Sequence, residues 1–150
     1  MALLSDQDQL AFCNAVRAAI DISLSDGSLP DAIIQMPIYQ GAAEDWVLAR
    51  DLNAASYVDT GAAPDATKAS RVNRALIYKT ASLLCPAIPA ITRDQFGPDE
   101  GYTRAAADYA KRADELAGMA SAQLDAYLEA APVTSALPTF ITVAPGYRGR

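Results

Sequence analysis

The 150-residue sequence predicts an all-α protein, a small bundle of about four helices with a long C-terminal helix and an extended, strand-like tail. Three observations predict it. In the stretch from Asp65 to Pro89, Val72, Leu76, Lys79 or Thr80, and Leu83 recur at helical steps, and Ile77 and Leu84 widen the stripe. That is more apolar circumference than a surface helix needs, so this helix belongs at the centre with neighbours on several sides. From about Tyr102 to Ala131 a second helical period runs without a break. At Pro132 the composition changes abruptly, dividing the chain into a helical body, 1–131, and a C-terminal arm, 132–150.

Taken in order, the chain begins with MALLSDQDQL, which lacks the basic start and long apolar run of a signal peptide. Ser5 with Asp8 makes a plausible capping pair for a helix over about Asp6 to Ile22, with Phe12, Val16, Ala19 and Ile20 as its buried stripe and Cys13 beside it. Ser25-Asp26-Gly27-Ser28 is turn chemistry, because Gly tolerates positive φ and Ser and Asp bond nearby amides. Leu29-Pro30-Asp31 opens a short helical piece that stops near Met36, since a proline restricts the residue before it. Pro37 suits the first position of the next helix, expected to run to about Asn53 with Tyr39, Ala42, Ala43, Trp46, Val47 and Arg50 along one side and Glu44, Asp45 and Asp51 on a solvated face. Trp46 is expected to anchor the core.

Tyr57 to Pro64 reads as a loop before the central helix, which Pro86 and Pro89 are expected to end. Ile91 to Gly101 reads as an exposed, acidic loop. The terminal helix carries Tyr102, Ala106, Tyr109, Ala113, Leu116, Ala120, Leu124 and Tyr127 or Leu128 on one stripe, over a length on the order of 45 Å. In the arm, Thr139 to Val143 has strong strand propensity but no second strand to pair with, so strand addition to another protein is expected.

Charge narrows the function classes. Net charge is -6, and the sequence pI is near 4.5. Tight binding to phosphates needs clustered Lys and Arg, so the chain is a poor prospect for tight DNA binding. The body holds all 18 acids and 10 of the 12 bases, whereas the arm holds only Arg148 and Arg150. The two cysteines, Cys13 and Cys85, lie in apolar helical patterns and are expected to be buried free thiols. No apolar run approaches the roughly 20 residues of a membrane span.

The chemistry-bearing motifs are absent. There is no histidine, the commonest general base and metal ligand. No nucleophile elbow or phosphate-binding glycine loop appears, and Asp94, Asp99 and Glu100 do not have calcium-loop spacing. The sequence is therefore read as a non-enzyme with no cofactor and no metal.

Four stretches together resemble the head–tail connector (adaptor, or head completion) proteins of tailed bacteriophages. They are Leu29-Pro30-Asp31 with Ile34; the helix around Ala42-Ala43-Glu44 and Val47; the run Ala75-Leu76-Ile77 through Thr80-Ala81-Ser82-Leu83-Leu84 to Pro86-Ala87-Ile88-Pro89; and Tyr102-Thr103-Arg104 opening the terminal helix. They cover about residues 25–130 in order and spacing. The resemblance implies a structural virion protein at the neck, made in host cytoplasm, that forms a ring of identical subunits under the portal. Such a ring joins capsid to tail and surrounds a channel through which genomic DNA passes without sequence-specific binding. It further implies subunit contacts through Tyr102, Tyr109, Leu116 and Leu124 of the long helix. The arm, with Phe140, Ile141, Val143, Tyr147, Arg148 and Arg150, would dock onto portal, tail, stopper or tail-terminator protein. The arm is longer and more strand-like than the resemblance requires. The alternative reading is an acidic helical regulatory or partner-binding protein outside the virion.

Overall fold

The computed structural model describes residues 9–58, 66–93 and 99–128. It is predominantly helical, with no strand among the described residues. Helix α1 (Gln9–Ile20) is followed by a turn, the short α2 (Asp31–Ile34), a wide π-type turn (Pro37–Gly41), α3 (Ala42–Arg50) and the short α4 (Ala54–Val58). The central α5 (Ala66–Leu84) leads through a 3-10 turn (Cys85–Ala87) into α6 (Ile88–Ile91), and α7 (Asp99–Leu128) completes the body.

Helix α5 is the hub. It packs most extensively on α7 and also touches α1, α3 and α4. Its C-terminal half is enclosed, with Leu76, Thr80, Ala81, Ser82 and Leu84 all buried. Helices α5 and α7 run antiparallel: the Lys68 ammonium near the start of α5 and the Tyr127 ring near the end of α7 both meet Tyr57 of α4. The small residues Ala75, Ala81 and Ala120 let these helices approach closely while Leu76, Leu84, Leu116 and Leu124 fill the space between elements.

The α1 stripe is as expected at Phe12, Cys13, Val16 and Ile20, while the Ser5 and Asp8 capping pair lies outside the described residues. The turn after α1 closes on itself. The Ser28 and Leu29 amides donate to the Ser25 carbonyl at 3.0 and 2.9 Å, and the Ser25 amide donates to Ser28 Oγ at 2.8 Å.

Several boundaries differ from the sequence expectation. The helix expected over Pro37 to Asn53 opens as a π-type turn, in which the Ala42 amide reaches the Pro37 carbonyl, and it ends at Arg50. It ends there because Asp51 is extended and its Oδ1 accepts the Asn53 amide at 2.9 Å, giving the backbone a local alternative to another helical turn. Tyr57 and Val58, expected in a loop, belong to α4, and residues 59–65 lie outside the described part. Pro86 ends α5 as expected, but Pro89 occupies the first turn of α6, where its missing N–H costs nothing. Helix α7 starts at Asp99, so Asp99 and Glu100 belong to its first turn rather than to a loop; Asp94 lies outside the described residues.

Both cysteines are free and buried. Burial holds both thiols above the ordinary range, Cys85 at about 11. Alkylation of native protein near neutral pH is therefore expected to proceed only as fast as the protein opens, and urea should expose both thiols together; rapid labelling of native Cys85 would contradict its place beside α7.

Candidate functional site

Among the described residues, no three or more His, Cys, Asp or Glu side chains converge to hold a metal. Four groupings of polar side chains among the described residues tie together separate parts of the fold.

Arg17 lies on the buried face of α1, only 3% exposed. Its Nε donates to the Leu29 carbonyl at 2.8 Å, Nη1 to Asn14 Oδ1 at 2.9 Å, and Nη2 to Asp26 Oδ1 at 3.0 Å and also to Asp31 Oδ1. One guanidinium thus locks the whole Asp26–Asp31 segment onto α1, using the fork of donors that only arginine offers.

Asp51 is a second buried charge, 7% exposed. Tyr127 donates its hydroxyl to Asp51 Oδ2 at 2.9 Å, tying the end of α7 to the end of α3. Burial, the hydrogen bond to Asp51 and the nearby carboxylate charge all hold the Tyr127 phenol well above the usual tyrosine range. The sign follows from linkage. The folded phenol keeps its proton where the unfolded one, near pH 10, loses it, so stability falls as pH rises past that value. Cys85 adds the same sign between its ordinary 9.0 and about 11. Chemical unfolding across pH 8 to 11 should show this loss, and Tyr127→Phe should flatten it above about pH 10 while costing roughly 1–3 kcal/mol at neutral pH.

Trp46 is half-buried between charged neighbours, with the Arg50 guanidinium 4.9 Å and the Lys79 ammonium 5.1 Å from its ring centroid. It packs against the core, as expected, and forms part of the α3–α5 contact. Arg50 also reaches Asp125 of α7 at 3.3 Å, an exposed pair of little energetic weight. Arg112 closes the end of α1 by donating from Nη2 to the Ala19 carbonyl at 2.8 Å, where a cation meets the negative end of the helix.

The expected subunit contacts separate into two groups. Tyr102 and Tyr109 are half-buried, Tyr102 lying beside the Arg93 guanidinium at 5.9 Å. Leu116 and Leu124 are fully buried in the chain's own core. That corrects their assignment to a subunit-facing surface, because α5 and its neighbours already cover that side of α7. Phe140, Ile141, Val143, Tyr147, Arg148 and Arg150 lie outside the described residues.

Sequence reasoning missed Arg17 and expected Asp51 on a solvated face with Glu44 and Asp45, whereas Asp51 is buried and accepts from Tyr127. Arg17 had a visible signal, a guanidinium in register with Cys13 and Ile20 on an apolar face. Asp51 two residues before Asn53 was a readable turn signal, but nothing local pointed to Tyr127.

Compared with protein-family models, curated proteins and solved structures, the chain matches none.

Proposed function

We propose that this chain is a head–tail adaptor of a tailed bacteriophage, a structural protein that forms a ring under the portal and joins capsid to tail. The observation that supports it is where the resembling residues fall. Leu29, Ile34, Ala43, Val47, Ala75, Leu76, Thr80, Ala81, Leu84, Ile88 and Pro89 are all buried. Asp31 is held by Arg17. Other resembling residues are half-buried or exposed, Pro30, Pro86, Thr103 and Arg104 among the exposed, so the support comes from the packing residues of the first three stretches and the fourth adds none.

The chemistry fits the role. An acidic body lines a DNA channel without gripping phosphates, so the genome slides. The arm, 132–150, adds a strand to portal or tail protein through Phe140, Ile141 and Val143, and Tyr147, Arg148 and Arg150 extend that contact. Tyr102 and Tyr109 remain candidates for subunit contact. The test is genetic: a phage lacking this chain should accumulate heads and unattached tails, and one lacking only 132–150 should do the same. Normal yields of joined particles without the chain would refute the reading.

A further inference from the structure

We infer that the chain binds a second copy of itself by pairing a cationic groove of α1 and α5 with an acidic groove of α1 and α7. Helix α5 carries Lys68, Arg71, Arg74 and Lys79 and no acid, although the chain as a whole is -6. Arg71 and Arg74 form no ion pair among the described residues. Arg74 borders a shallow groove floored by Ala15, Ala18, Ala19, Ile77 and Tyr78, and with Arg71 it borders another along the start of α5. The floor is mostly alanine, so an apolar side chain can approach the backbone closely.

Across α1 lies the opposite chemistry. Ile20, Asp21, Ala105, Asp108, Tyr109 and Arg112 line a second groove. Asp21 and Asp108 form no ion pair among the described residues, and the Arg112 guanidinium is already engaged by the Ala19 carbonyl and Glu115. Burial and the Asp21 charge push the Tyr109 phenol up, consistent with a locally negative groove. Beside Asp21 stands Ile22, 93% exposed, the most exposed large apolar side chain described.

Each groove therefore supplies what the other lacks. Arg71 and Arg74 of one copy meet Asp21 and Asp108 of the next, and Ile22 enters the alanine-floored groove beside Tyr78. Charge complementarity selects a second copy as the occupant, because every copy carries both halves. The pairing would supply the contact between subunits of the proposed ring, and to that extent it rests on that reading.

Sedimentation velocity of the full chain over a range of concentrations tests it. The protein should self-associate at low salt and less so at high salt. R71E/R74E alone and D21K/D108K alone should each associate at least about a hundredfold more weakly, since like charges then face each other. A one-to-one mixture of the two variants should associate again, because each acidic groove once more finds a basic one. I22S should weaken association roughly tenfold through lost apolar burial. Circular dichroism checks that each variant keeps wild-type helicity. A monomeric wild type, a well-folded variant that associates as the wild type does, or a mixture that stays monomeric would overturn the pairing. So would retention of duplex DNA by Arg71 and Arg74 without self-association. None of these results depends on presence in a phage particle, so the pairing and the adaptor reading can fail separately.

Discussion

Leu116→Ala is expected to destabilise the protein by about 2–5 kcal/mol in urea unfolding, at any protein concentration. Leu116 has no exposed surface and belongs to the core on α7, the helix that packs most extensively on α5. Truncation removes its buried methyl groups and leaves a cavity that rigid neighbouring helices cannot close fully. A residue holding two subunits together would behave differently. Its loss would barely change the unfolding of a dilute monomer and would shift the midpoint with concentration. Unfolding at two widely separated concentrations distinguishes the cases, and a concentration-dependent loss would return Leu116 to a subunit surface. Tyr102→Ala is the contrasting variant, because Tyr102 is half-buried beside Arg93, and it should cost far less.

Arg17→Met should cost about 2–4 kcal/mol. Methionine keeps much of the apolar stem but removes every donor. The Leu29 carbonyl, beside a fully buried side chain, then loses its 2.8 Å partner, the larger part of the cost. Asp31 and Asp26 have 34% and 79% of their side-chain surface exposed, so water compensates them in part, which keeps the figure below that of a fully buried ion pair. Asp26→Asn, which touches only the exposed end of the same cluster, should cost under about 1 kcal/mol. If Arg17→Met were as mild as Asp26→Asn, the guanidinium would not be what fastens the Asp26–Asp31 segment to α1. Denaturant unfolding of both variants gives the comparison.

The helices were legible wherever burial follows a single period. Phe12, Val16 and Ile20, and Val72, Leu76 and Thr80, mark their faces in one dimension, and the core uses those faces. The breaks were less legible, because they depend on side chains that compete with helical hydrogen bonds. Asp51 stops α3 by binding the Asn53 amide, a choice reinforced by Tyr127 from the far end of α7. Pro89 illustrates the same limit: a proline can end one helix or open another, and only the turn at Cys85–Ala87 decides which. Leu116 and Leu124 were correctly placed on the apolar stripe, but periodicity alone does not say whether a stripe faces its own chain or another. The pairing of Arg17 with Asp31 joins residues whose proximity depends on the turn between them, so only the buried position of Arg17 could have announced it.

The adaptor reading is tested most directly by seeking this chain in purified, DNA-filled phage particles, crosslinking them, and mapping its crosslinks by mass spectrometry. Many copies per particle are expected at the neck, with residues 132–150 joined to portal or tail protein and copies joined to one another. Absence of the chain from filled particles would contradict the adaptor reading outright and leave an acidic, non-structural partner-binding protein in its place.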